Sequence, residues 1–215
     1  MPSSPSTDDR HEQALHHADL REHAMTLPTL AVVNGGPGTG KTTLAHALAQ
    51  ELGCPAIIRD EIKQGMVMST PGYRSGGDDP LNYPTLDAFF EVLKVLLRSR
   101  VTVVAEAAFQ DRLWRPNLEP LAHIAQIRII HCTVPAAIAH SRIIQRVTDN
   151  AHRAAHGDQA LLEAIAAGKH SLESFVPVSL DVPTQAVDTS HGYTLAIRDI
   201  AAFVQGTTAN EGDSG

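Results

Sequence analysis

Two cysteines are all that the 215 residues contain. Cys54 and Cys132 lie far apart in apolar contexts, which speaks against a disulfide or a cysteine metal pair and reads as two buried thiols in a cytoplasmic protein. A positive excess is missing too. Lys and Arg number 17 against 24 Asp and Glu, a formal charge of −7, which argues against a general binder of nucleic acid or of anionic membranes. No apolar run approaches the roughly 20 residues of a membrane span, and no signal-like apolar region follows the start. Internal repeats and low-complexity tracts are absent as well. What remains, 43% apolar and 19% charged, is an ordinary globular composition with ample core for one domain.

Residues 1–24 are polar, with early prolines and serines and then His11, His16, His17 and His23, and read as a flexible extension. From Thr29 the pattern changes to short apolar runs alternating with helix-period stretches. TLAVVN (29–34), AIIRD (56–60), VTVVAEA (101–107), QIRIIHCTV (126–134) and TQAVDTS (184–190) read as strands. Short apolar runs of this kind suit strands buried on both faces of a parallel sheet. Leu44, Leu48 and Leu52 repeat at helical spacing between the first two. The alternation implies an α/β three-layer sandwich over residues 25–207, followed by a flexible tail at 208–215. Two connections are long and polar, at 69–84 and at 146–158, the second within a lid region extending to about residue 170. Connections of that length in a compact domain are usually functional lids or disordered segments.

Four glycines and a proline crowd into residues 35–40, directly after the first apolar strand, and Lys41, Thr42 and Thr43 follow. Gly35-x4-Gly40-Lys41-Thr42 fits the phosphate-binding pattern called Walker A, with the required strand before it and helix after it. In that pattern Gly35, Gly36, Pro37, Gly38, Thr39 and Gly40 turn backbone N–H groups inward around phosphates, and the helix N-terminus adds its dipole. Lys41 reaches the β- and γ-phosphates, and the Thr42 hydroxyl is a ligand for Mg²⁺. Lys41 is expected to be exposed until nucleotide binds.

Such a loop serves kinases, GTPases, motors and switches alike. Asp60 ends the second apolar run, at the sheet edge where ligands gather in open α/β folds. It reads either as the base facing an acceptor hydroxyl or, with Glu61, as a cap and charge on the first turn of the following helix. Glu106 closes the third strand, where a Mg²⁺-holding acid belongs. Gln110, Arg112 and Arg115 open the next helix at the same edge; the arginines are surface cations or contacts to an acidic or hydroxylated substrate group. Tyr73 and Arg74 in the 69–84 connection are further substrate-side candidates. Arg142 and Arg146 stand four apart on one helical face. Like charges so spaced repel unless an anion sits between them, so the pair reads as a lid over the nucleotide or as a solvated helix face. His152 and His156 have metal-ligand spacing but no evident third ligand.

Together, GGPGTGKTT, IIRDEI, VVAEAAF and HSRIIQR…RAAHGD resemble the P-loop small-molecule kinases, most closely the zeta-toxin and chloramphenicol-phosphotransferase-like group. Polynucleotide 5′-kinase domains look similar too. The resemblance spans about residues 29–204, with only the Walker A segment highly specific. It implies a P-loop NTPase fold with a five-stranded parallel sheet and a helical lid. It also implies ATP and Mg²⁺ as cofactors, Asp60 as base, Arg142 and Arg146 as lid arginines, and Val182 and Pro183 near the adenine. Glu106 departs from the aspartate of many relatives. The expected activity is transfer of the ATP γ-phosphate to a hydroxyl of a small molecule, an antibiotic or other natural product by analogy with the chloramphenicol-modifying relatives. The alternatives are a nucleic-acid 5′-hydroxyl kinase and a non-kinase nucleotide switch. The protein is expected to be a monomer or homodimer with no membrane partner.

Overall fold

The computed structural model describes residues 27–73, 79–149 and 157–207. The N-terminal extension, the C-terminal tail, Arg74, His152 and His156 lie outside them.

Alternating side chains explain the architecture. In β1 (Thr29–Asn34), Leu30 and Val32 enter one apolar cluster and Ala31 and Val33 another. Val103 and Ala105 of β3 (Val103–Ala107) and Ile127 and Ile129 of β4 (Gln126–Thr133) join the first cluster. Val104 and Ile130 join the second. A strand with apolar residues on both faces needs cover on both faces, which helices supply. With β2 (Ala56–Ile58) and β5 (Thr184–Asp188), the strands form a five-stranded sheet in the order β2-β3-β1-β4-β5, parallel at every pairing.

One layer is α1 (Lys41–Leu52) and α7 (Ile197–Gln205). They bury Leu44, Leu48, Ile200 and Val204 against the second cluster. The other layer contains α3 (Asn82–Arg98) and α4 (Asp111–Leu118). Here the few aromatics are concentrated: Phe89, Phe90, Phe109 and Trp114 pack with ring centroids 5.2–6.1 Å apart. Edge-to-face packing of such rings adds to the stabilisation from burial. The helices α2 (Arg59–Met68), α5 (Ala136–Asp149) and α6 (Asp158–Ala166) lie among the connections nearer the site.

Strand ends shift by one or two residues, and three larger differences from the sequence reading lie at helices. Strand β2 stops at Ile58, and Arg59 and Asp60 already belong to α2. The 69–84 connection ends early because Asn82, Tyr83 and Pro84 form the first turn of α3; a proline fits there because first-turn N–H groups have no intrahelical partner. Residues 146–149 continue α5, and Asp158 begins α6, so much of the lid region is helical. Of the two thiols, Cys132 is buried and Cys54 only partly so. Burial pushes the Cys132 thiol up to about 12, outside any range useful for a nucleophile.

Candidate nucleotide and acceptor sites

Where β1 ends, the chain must turn sharply around whatever α1 will hold. Gly38 has φ +79, and a Cβ there would lie 2.5 Å from the Ala139 carbonyl oxygen. Only glycine fits this position. Gly35 is equally constrained, with the Cys132 carbonyl oxygen 2.7 Å from where its Cβ would be. The Thr39 hydroxyl donates to the Gly36 carbonyl at 2.8 Å. The loop is therefore braced from within and against the start of α5.

Lys41 is not exposed, contrary to the sequence expectation. It is 8% exposed, with Nζ donating to the Gly36 carbonyl at 3.3 Å and lying 3.7 Å from Glu106 Oε1. The Thr42 hydroxyl donates to Glu106 Oε2 at 2.8 Å. The register explains the arrangement: Glu106 on β3 pairs with Val33 on β1 and with Ile58 on β2. It therefore sits at the C-terminal edge of the sheet, beside the P-loop, and is 3% exposed. A hydroxyl and a carboxylate sharing one point form a hard-oxygen donor set, which suits Mg²⁺. Among the described residues no cluster of three or more His, Cys, Asp or Glu could form a cage for a metal. Mg²⁺ ordinarily needs none, since substrate phosphates complete its shell.

Lys41, Thr42, Thr43, Arg142 and Arg146 line a cavity of about 480 Å³. Its far side is Thr189, Gly192 and Tyr193, which follow β5. Val182 and Pro183 do not line it. They precede β5, and Val182 packs against the first apolar cluster. In a parallel sheet the ligand edge is the C-terminal one, so residues after β5 reach the cavity while those before it do not.

Arg142 donates to the carbonyls of Gly38 (3.4 Å), Thr189 (2.6 Å) and Ser190 (3.2 Å), and to the Thr189 hydroxyl (3.2 Å). That hydroxyl in turn donates to the Thr39 carbonyl at 2.7 Å. Arg142 thus ties the P-loop to the segment after β5. Arg146 lies 3.8 Å from Asp158, at the start of α6, and its Nε is buried without a hydrogen-bond partner. The two lid candidates therefore face one cavity with different commitments. On the other side of the loop, Gly36, Pro37 and Thr39 border a small cavity of about 150 Å³ with His131 and Phe175. Fully buried Asn34 braces this side. It donates to the Phe109 carbonyl and accepts from the Val178 N–H.

A larger cavity of about 570 Å³ lies on the Asp60 side, bordered by Arg59, Asp60, Asp79, Asn82, Phe109 and Arg112 among others. The cavity thus brings Asp60 together with residues 79–83 and the start of α4. Asp60 is the second residue of α2; the N-cap is Ile58, with no side-chain cap bond. Its Oδ1 accepts from Arg59 at 2.9 Å. Arg59 also donates to the Asn82 side chain at 2.9 Å, and Lys63 donates to the same oxygen at 3.2 Å. Lys63 pairs with Asp79, and Asp79 accepts the Tyr73 hydroxyl at 2.7 Å. Burial pushes the Asp79 carboxyl up, but bonds from Lys63, Tyr73 and the Leu81 N–H, with the Lys63 charge, outweigh it and hold its pKa below the ordinary value. Tyr73 is the counterpart: burial, then Asp79, push its phenol up to about 12.

Tyr73 hence supports the cavity wall without lining it. Neither Gln110, the N-cap of α4, nor Arg115, which pairs with Asp111 at 3.3 Å, borders the cavity. Sequence reasoning missed Arg59, Lys63, Asp79 and Asn82 here, and Thr189 and Tyr193 at the nucleotide side. One signal was available: Arg59 and Lys63 are four apart on a helix, the spacing that singled out Arg142 and Arg146.

A family model described as an AAA domain, AAA_33, matches residues 30–172. The chain belongs to this AAA-domain family. The match takes in the P-loop, Asp60, Glu106, Arg142 and Arg146, and stops before β5. Several solved structures share the fold. A protein of Chloroflexus aurantiacus assigned as a candidate kinase superposes with a TM-score of 0.71 at 23% identity, covering 86% of this chain and all of that one. The APS kinase of Mycobacterium tuberculosis, solved with AMPPNP and APS, gives 0.55 at 14% identity, over 84% of this chain and 97% of that one. An unliganded sugar kinase of Janibacter sp. gives 0.50 at 19%, over 83% and 91%. The AAA-domain protein therefore has a P-loop kinase-like fold. Among curated sequences, uncharacterised proteins of Mycobacterium tuberculosis and Mycobacterium bovis are 28% identical over 159 residues, 69% of this chain but 30% of theirs. The chain spans about a third of the length of those relatives. Among the described residues no helix is long and apolar enough to cross a membrane.

Proposed function

We propose that this AAA-domain protein is an ATP-dependent phosphotransferase that moves the γ-phosphate to a hydroxyl of a small molecule. The observation that carries the reading is the position of Glu106 between two cavities. Its carboxylate meets Lys41 and Thr42, which line the first. Ala108 and Phe109, two and three residues further on, line the second. Ile58, its register partner, leads directly into Arg59 and Asp60 of the second cavity. A nucleotide-side cavity and an acceptor-side cavity flanking one buried acid is the layout that in-line transfer requires.

The roles follow from the chain's own groups. The Gly35–Gly40 loop and the N-terminus of α1 cradle phosphates, and Lys41 moves from the Gly36 carbonyl to the β- and γ-oxygens. Thr42 and Glu106 would hold Mg²⁺, which when bound screens phosphate charge. Asp60 orients the acceptor hydroxyl and accepts its proton, and Arg59 donates to its carboxylate. Arg146, whose Nε lacks a partner, is the lid cation for charge developing in the transition state. Arg142 fixes the wall of the nucleotide cavity together with Thr189. The four sequence motifs support placement beside the zeta-toxin and chloramphenicol-phosphotransferase-like kinases, so an antibiotic or other natural product falls within the acceptor class.

The test is a panel of hydroxylated metabolites and antibiotics with γ-labelled ATP, run beside a single-stranded oligonucleotide bearing a 5′-hydroxyl. Label transfer to a small molecule, lost in Asp60→Asn, is the expected result. Nucleotide binding with slow hydrolysis and no acceptor labelled would return the protein to the switch class. Labelling of the oligonucleotide alone would make it a polynucleotide kinase.

A further inference from the structure

The second cavity says more about the acceptor than that it carries a hydroxyl. Leu86, Phe109 and Leu113 line it along with Tyr83, whose side chain is largely exposed. Such a wall suits an apolar body, and its two aromatic groups favour a ring. The charges are unevenly committed. Arg59 is bonded to Asp60 and Asn82, and Asp79 to Lys63 and Tyr73. Arg112 has no ion pair or hydrogen bond among the described residues, although it lines the same cavity. Arg59 keeps one donor over, since its Nε is buried without a partner. Among the described residues two arginines and two aspartates line the space, and Lys63 stands behind Asp79.

We infer that the acceptor is a ring-bearing alcohol that also carries an anionic group, a carboxylate or its equivalent, which Arg112 binds while the hydroxyl meets Asp60. The chemistry is complementary at three places. The apolar wall takes the ring, the carboxylate of Asp60 accepts from the hydroxyl, and the guanidinium offers a fork of donors to a planar anion. A cationic acceptor would meet the Arg112 charge instead, and a neutral one would gain no ion pair from it. The inference rests on the phosphotransfer reading only for the role of the hydroxyl; the binding preference stands apart from it.

The test therefore omits ATP. Hydroxymethyl-benzoate, its carboxamide and its amine analogue, with the same three head groups on a two-ring aryl alcohol, are titrated calorimetrically into wild type, Arg112→Gln and Arg112→Lys. Wild type should bind the carboxylates at least about ten-fold tighter than the carboxamides, the order of effect of a hydrogen bond between charged partners. Arg112→Gln should level the pairs, and Arg112→Lys should restore part of the preference. Arg112 is exposed, so the variants should fold, and unchanged melting temperature and nucleotide affinity would verify it. A wild type without carboxylate preference, one that binds none of the probes or favours the amine, or a preference that survives in Arg112→Gln would overturn the inference. Carboxylate-selective binding with no transfer to any alcohol would instead overturn the phosphotransfer reading and leave this one standing.

Discussion

Lys41→Met should destabilise the protein before nucleotide is considered, because the lysine is buried against a buried acid. The Lys41 and Glu106 side chains are 10% and 4% exposed and stand 3.7 Å apart. Removing one member of a buried pair leaves the other uncompensated, at about 3–5 kcal/mol. The low end applies, since the separation exceeds hydrogen-bond length and Thr42 still donates to Glu106 at 2.8 Å. About 3 kcal/mol in a chain of this size lowers the melting temperature by about 6–12 °C, at about 2–4 °C per kcal/mol. Glu106→Gln should cost less, because Lys41 keeps its bond to the Gly36 carbonyl. The double variant removes both charges and should be more stable than the sum of the singles predicts, by a coupling of about 1–3 kcal/mol. Thermal and urea unfolding of the four proteins, without nucleotide, measure this directly. Added salt should change the coupling little, since buried pairs are weakly screened. A Lys41→Met protein that melts with wild type, or strictly additive effects, would refute the pairing and make Lys41 a solvent-facing group awaiting phosphate. Glu106→Gln carries a second readout: Mg²⁺-free ATP should bind more tightly once the carboxylate is gone, while the gain from adding Mg²⁺ shrinks.

Asp60→Asn should lower kcat by on the order of 10²–10⁴, the contribution of a positioned base, with little change in ATP affinity; a fully active variant would reduce Asp60 to a first-turn acid favoured by the helix dipole. Arg142→Ala and Arg146→Ala should separate. The first removes four hydrogen bonds that join the P-loop to residues 189–190 and should weaken nucleotide binding and stability together. The second should act mainly on kcat, and identical kinetic profiles for the two would contradict the division. Lys63→Met should raise the pH of acid unfolding. Asp79 is held below its unfolded pKa of about 3.8, so its stabilisation is present above that pH and is lost as pH falls through the folded value. Without Lys63 the folded value rises and the acid limb moves up. An unchanged acid limb, followed by circular dichroism, would mean that Tyr73 and the Leu81 N–H hold Asp79 unaided.

Much of the scaffold was readable from residue order. Strands buried on both faces write themselves as short apolar runs, and each of the five runs named contains a strand of the sheet. The P-loop was legible because its constraint is local: only glycine tolerates the φ of Gly38. Asp60 at the sheet edge and Glu106 near the end of β3 followed from the same logic, since parallel strands place their C-terminal residues on one side. Boundaries were less legible. Arg59 and Asp60 follow an apolar run directly, yet the backbone is already helical there, and Pro84 looks like a loop residue although the first turn of a helix admits it.

What only the tertiary structure decided depends on partners distant in sequence. Nothing near Lys41 announces that Glu106, 65 positions on, will bury it; the parallel register of β1 and β3 does that. Arg142 and Arg146 are equivalent by spacing, and only the fold gives one of them the carbonyls of Gly38 and Thr189 and the other Asp158. Val182 and Pro183 precede β5 and so stand at the end of that strand away from the cavity. The wall of Arg59, Lys63, Asp79, Asn82 and Tyr73 joins α2 to the connection before α3, two segments whose composition reads as solvated surface. Local chemistry, such as a phosphate nest or an apolar strand, is encoded within a few residues and shows in the sequence. The burial of a charge is not, because it is set by whichever chain segments the fold brings against it.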